Sequence, residues 1–361
     1  MSARTPARVC VVSEDLGLPL DEGIKKFAVS LLPALSGHAS VLGISTGGSG
    51  ALPEGAVRAP ANRLFLGGRL RRELVSFAPD VICYVPSASC TAFSFLRSRL
   101  LKLYRPGARV AMVALQGRTH RLVGRRLIPR IQPDYLFAQS QATIDELSAL
   151  GGRARFLPSG VDIDTFRPVA SQEKADLRRK HGLPPDEFLV LHVGHVKSGR
   201  NLSLLSRAGK IGRPLLVAGS STGGDAALRR ELELAGVTII DRYVAEVQQI
   251  YQAADCYLFP VQTPGSAIDV PLSVLEAMAC DLPVVTSPFG GLPLMFEERP
   301  GFQFADGDER LLEALIRVKE TAAGGTRRMV ERYSWREVAA RFLAAIEEPF
   351  GVSEYAGAVT L

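Results

Sequence analysis

The chain has 361 residues, 47% of them apolar and 22% charged, with a formal net charge of +6. That is ample apolar material for two cores, and the length alone suggests about two domains. No apolar run approaches the ~20 uninterrupted residues of a membrane span. The five cysteines are scattered without a CxxC pair, which argues against a zinc ribbon or a disulfide scaffold and for reduced, buried thiols.

The opening MSARTPARVCVVSEDLG runs almost directly into a strand with no signal-peptide profile, so a cytoplasmic protein is expected. Strand-like runs follow at 9–13, 39–44, 81–85, 109–115 and 135–138, and again at 188–193, 214–218, 237–240, 256–260 and 283–286. Helical patterns separate them, the sign of parallel α/β layers. After the first strand a turn, 17–23, leads through Gly23 into a helix over 24–35. The strand at 109–115 ends in Gln116, Gly117, Arg118, Thr119 and His120. The best linker candidate is 166–172. Ser334 with Glu337 three residues on forms a capping box for a closing helix, and the tail 354–361 is expected to fray.

Two stretches of the second half carry chemistry. In LHVGHVKSGRNLSLL (191–205) a strand ends at Val193-Gly194, and His195, Lys197 and Arg200 follow. Cations grouped where a strand of an α/β sheet ends lie where ligands bind, and a departing diphosphate needs such charge. A solvated basic loop is the bland alternative. In IDVPLSVLEAMACDLPVVTSPFGG (268–291) Pro271 opens a helix, since its missing N–H costs nothing at a helix start. The amides of Leu272, Ser273 and Val274 should then point outward with the positive end of the helix dipole, a seat for phosphate. One turn deeper, Glu276 sits in an apolar helix and must find a partner, for which ligand hydroxyls would serve.

Over roughly 25 positions the second stretch resembles the sugar-nucleotide signature of family-4 glycosyltransferases, which are retaining enzymes of the GT-B fold. The segment LPSGVDIDTFRP (157–168) is similar to that family's interdomain segment, with Ser159 in place of the usual Asn. The resemblance implies roles. Of two family glutamates separated by seven residues, the second contacts the donor ribose and matches Glu276; the first contacts the donor sugar and would fall at Ile268. Asp269 is the nearby carboxylate that could stand in, or it caps the turn before the helix. His195 and Arg200 match the Arg and Lys that grip the diphosphate, with Lys197 a third charge. Tyr243, Val244 and Ala245 resemble the base-binding turn. The loop 261–268, about four residues longer than the common pattern, is either remodelled around the donor sugar or a surface insertion. Gly23 matches the family's glycine-rich turn. On the acceptor side Gln116 takes the place of a histidine, with His120 the less favoured substitute.

Residues 81–133 contain no Asp or Glu but carry Arg97, Arg99, Lys102, Arg105, Arg109, Arg118, Arg121, Arg125, Arg126 and Arg130, interleaved within 93–104 with Phe and Leu. Three readings stay open: docking on an anionic membrane, binding of an anionic or lipid-linked acceptor, and a plain solvated face. Nucleic acid is disfavoured, since no recognised motif or aromatic platform accompanies the charge.

The expectation is therefore an α/β protein of GT-B fold with two Rossmann-like domains facing across a cleft. Residues 1–168 would take the acceptor and 169–340 the nucleotide-sugar donor, with 341–361 returning to the first domain. It would transfer a hexosyl or related group with no cofactor and no metal. A GT-B epimerase or phosphorylase, and a non-catalytic nucleotide-binding scaffold, are the rivals.

Overall fold

The computed structural model describes residues 8–120, 122–219, 224–321 and 323–347. Arg121 and the tail 354–361 lie outside the described residues. The first half forms one parallel sheet from β1 (Arg8–Ser13), β2 (Ser40–Ser45), β3 (Ala56–Arg58), β4 (Val81–Tyr84), β5 (Arg109–Ala114), β6 (Tyr135–Ala138) and β7 (Ala154–Phe156). Their order is β3-β2-β1-β4-β5-β6-β7. The second half forms another from β8 (Leu189–Val193), β9 (Arg213–Val217), β10 (Thr238–Ile240), β11 (Cys256–Phe259), β12 (Val284–Thr286) and β13 (Phe302–Phe304), in the order β10-β9-β8-β11-β12-β13.

Each sheet reverses direction once. β1 pairs with both β2 and β4, and β8 with both β9 and β11. At such a reversal the helices leave on opposite faces, so the strand ends open a crevice. The central strands are buried on both faces, as continuous apolar runs such as Val9–Val12 and Val81–Tyr84 require. All five cysteines are buried and unbridged, and burial raises the thiols of Cys10, Cys83 and Cys256 far above their usual range.

The closing helix Trp335–Glu347 packs on the first core through Val338, Ala339, Phe342, Leu343 and Ile346. Phe342 meets Phe137 at 5.5 Å, and Trp335 meets Phe27 edge-on at 5.3 Å. Arg109 and Arg155 donate to the carbonyls of Ile346 and Ala345 near the end of this helix. Of the capping box, the serine half forms: the Glu337 amide donates to Ser334 Oγ at 3.3 Å. Where the chain passes from the first sheet to the second, Val161 pairs in parallel with Ser334, where it returns. Gly160 fits there only because it has no side chain; a Cβ would stand 2.5 Å from the Trp335 ring.

Candidate functional site

Between the two sheets lies a cleft of about 530 Å³, at the carboxyl ends of β8, β9 and β11 and against the start of the helix Gly23–Ser36. Eleven of the sequence-derived site residues line it: Gly23, Gln116, Gly194, His195, Lys197, Arg200, Tyr243, Val244, Leu272, Ser273 and Glu276. Four do not: His120, Ala245, Asp269 and Val274.

The helix that carries Glu276 spans Leu272–Ala279, with Pro271 in extended conformation just before it. The Val274 amide donates to the Pro271 carbonyl at 3.2 Å, so it is not among the amides offered to an anion. Leu272 and Ser273 remain at the cleft wall.

Asp269 departs from both expectations. It belongs to neither the cleft lining nor the cap of its own helix. Its carboxylate accepts from Ser140 Oγ at 2.6 Å and Thr143 Oγ1 at 2.7 Å, at the start of the helix Gln141–Ala149 in the first half. Burial raises its pKa, and these hydroxyls oppose the rise. Its amide donates to Leu115 and its carbonyl accepts from Gly291. Asp269 thus ties the two halves together. Its neighbour Ile268 is buried in the first core, against Gly23.

Arg200 is only 8% exposed. Its guanidinium lies over Gly194, where a Cβ would stand 2.1 Å from Nη1, and its Nε donates to the Ser266 carbonyl at 3.1 Å. A side chain at 194 would therefore push the Arg200 guanidinium from its place, and the loop 261–268 is tied to that cation through the Ser266 carbonyl. Gly265, Ser266, Ala267 and Ile268 of this loop line the cleft. Lys197 is exposed at the rim.

His195 is not the cation its position suggested. Burial, then the charges of Arg200 and Lys197, lower its pKa to about 4. It is a neutral ring at pH 7, able to donate or accept a hydrogen bond. Below it, His192 is buried with Nδ1 2.9 Å from the Leu258 carbonyl, and burial depresses its pKa to about 3.

Tyr243 stands half-exposed beside Val244 and Val247 on the turn side of the cleft. This turn presses against Gly219, whose Cβ would meet the Arg242 carbonyl at 2.0 Å. Gln116 ends its strand with the amide held by Ser89 Oγ at 2.9 Å. His120 is half-buried against Phe95, ring centroids 6.4 Å apart, and burial lowers its pKa. It does not line the cleft.

Several site features were not anticipated. Glu276 is buried, and its oxygens are engaged by Lys26 Nζ and by Tyr251 OH, the latter at 3.0 Å. The basic segment is likewise less free than its composition suggested. Arg97 pairs with Glu14, and Lys102 pairs with Asp134 at 2.8 Å, so carboxylates from outside 81–133 supply what the segment lacks. Arg99, Arg125 and Arg126 are exposed, as are Phe93 and Leu103.

The family model described as "Glycosyl transferases group 1" matches residues 188–320. Sulfoquinovosyl transferase SQD2 of Arabidopsis thaliana is 29% identical over 223 residues, 56% of this chain and 42% of that protein. D-inositol 3-phosphate glycosyltransferase of Mycobacteroides abscessus is 30% identical over 240 residues, 59% of this chain and 52% of that protein. The match thus spans about half the length of these relatives. Among solved structures, Anabaena Alr3699/HepE in complex with UDP superposes with a TM-score of 0.74 at 15% identity, covering 94% of this chain and 99% of that one. Sucrose-phosphate synthase from Thermosynechococcus elongatus gives 0.75 at 18% identity, covering 94% and 98%. Residues 188–320 thus match the glycosyl transferases group 1 model, and the chain as a whole shares the two-domain fold of these solved structures.

Proposed function

We propose that the chain transfers a hexosyl or related group from a nucleoside diphosphate sugar to an acceptor hydroxyl with retention of configuration, in glycan or glycolipid synthesis. The observation that carries this reading is the convergence of Glu276, Arg200, Lys197 and His195 with the start of the Leu272 helix on one cleft. Glu276 binds the ribose hydroxyls. Leu272 and Ser273 amides, the neutral His195 ring and the cations Arg200 and Lys197 hold the diphosphate. Tyr243 and Val244 face the base. Residues 1–168 present the acceptor near Gln116, and 169–340 hold the donor.

As the bond from the sugar to the diphosphate breaks, negative charge grows on the departing phosphate, and fixed cations favour that state over the ground state. The acceptor oxygen forms the new bond from the face the leaving group vacates, and a phosphate oxygen takes its proton. Attack on that same face is what preserves configuration, with no side-chain nucleophile and no covalent intermediate.

The test is nucleotide binding by calorimetry to the parent protein and to Glu276→Gln. A hydrogen bond to a charged group is worth about 1.5–3 kcal/mol, so the variant should bind a nucleoside diphosphate about an order of magnitude or more weaker. Equal affinity in a folded variant would sink the assignment. Turnover of a nucleotide sugar that proceeds fully without acceptor would indicate epimerase or hydrolase chemistry instead.

A further inference from the structure

Lys26 lies in the first turn of the helix Gly23–Ser36, on the opposite wall of the cleft from Glu276. Its ammonium crosses the cleft to Glu276 Oε1 and rests 5.3 Å over the ring of Phe166. Phe166 in turn meets Tyr251 edge-on at 5.6 Å, and Tyr251 holds Glu276 Oε2. The second half therefore offers the ammonium a shaped socket of one carboxylate and one aromatic face, both features that attract a cation.

This socket coincides with the seat assigned to ribose. Each carboxylate oxygen already holds one protein donor, so a diol that took both would have to share them with Lys26 and Tyr251 or displace the donor that is free to leave. The two donors differ in freedom. Tyr251 is fully buried, whereas the Lys26 side chain is 25% exposed on a flexible stem and can swing into solvent. We propose that Lys26 is a latch across the cleft: without nucleotide it fills the ribose seat and holds the two halves together, and a ribonucleotide displaces it. The inference rests on Glu276 as the ribose ligand. Displacing a latch lowers apparent affinity by the fraction of protein that is unlatched, so its removal tightens binding.

Lys26→Met keeps the stem and removes the ammonium. In titrations with UDP and with ADP, the nucleotide that the parent binds should bind Lys26→Met about five- to tenfold tighter, the low end of ordinary couplings between sites. The 2′,3′-dideoxy form of that nucleotide has no diol to seat and should bind both proteins equally. Without ligand, small-angle scattering should show a larger radius for Lys26→Met than for the parent. Equal or weaker ribonucleotide binding by a folded Lys26→Met or Lys26→Gln overturns the latch. Failure of the parent to bind either nucleotide overturns the donor-site reading on which the latch rests, a result distinguishable from the first.

Discussion

Ile268 lies against the bare α-carbon of Gly23, and a Cβ there would stand 3.3 Å from its Cδ1. The contact joins the loop before the Glu276 helix to the start of the helix that carries Lys26. Ile268 thus packs with the first core while also lining the cleft. Gly23→Val should overpack this seam and destabilise the fold by about 1–3 kcal/mol, read as a lower urea midpoint. Gly23→Ala, which needs a shift of a few tenths of an ångström, should cost less. Equal stability of Gly23→Val and parent would show that the seam yields freely.

The two cations of the proposed diphosphate site should separate by their burial. Arg200 is buried and braces Ser266, while Lys197 is exposed. Arg200→Ala should lower turnover by about 10²–10³-fold, the scale for loss of a group aimed at developing charge, with a smaller effect on donor affinity. Lys197→Ala should lower turnover less and leave thermal unfolding unchanged. Steady-state kinetics with a nucleotide sugar decides; a pure rise in KM with constant kcat would place both cations in ground-state binding.

Acid should loosen this protein through its buried imidazoles. The pKa of His195 falls to about 4 and that of His192 to about 3 in the folded state, against 6.5 for an ordinary histidine. Above pH 6.5 neither state binds the proton and their stabilising effect is fully present. Between 6.5 and 4 the unfolded chain takes up protons that the folded protein refuses, so stability falls as pH falls. Urea unfolding without ligand should give a lower free energy at pH 5 than at pH 7, and His195→Gln should lose less across that interval. An identical loss in the variant would remove His195 from the account.

We propose docking on an anionic membrane, and the exposed basic residues of 81–133 test it. Arg97 and Lys102 are held by Glu14 and Asp134, so reversing them would disturb the fold. Arg99, Arg125 and Arg126 are exposed, as are Phe93 and Leu103 of the same stretch of sequence, 81–133. Their joint change to Glu should release the protein from anionic vesicles in sedimentation while nucleotide binding persists. Binding by the parent should weaken as salt rises, because exposed charges are screened over about 8 Å at physiological ionic strength. A parent that stays in the supernatant at low salt is simply arginine-rich on that face.

The central strands were legible because burial on both faces leaves continuous apolar runs. The strands β3, β7 and β13, three residues each, were not, since partly exposed edges need no such run. Glu276 stood out as an acid in an apolar helix. Its partner Lys26 did not, because 250 residues separate them and nothing local marks a lysine as reaching across a cleft. Asp269 misled for the same reason: its neighbours in sequence point to the cleft, and its hydrogen bonds go to Ser140 and Thr143, which only the fold brings near.

The closing helix has a consequence for how the protein is made. The first core is completed by Phe342, Leu343 and Ile346, so the sheet synthesised first keeps an uncovered apolar strip beside Phe27 and Phe137 until the second sheet has also left the ribosome. Chains generally fold unit by unit from the N-terminus as they emerge. Here the second sheet can close on itself before the first is finished. A chain stopped just short of Trp335 would hold every residue of the cleft and still expose a sticky flank, which makes aggregation rather than lost chemistry its characteristic defect.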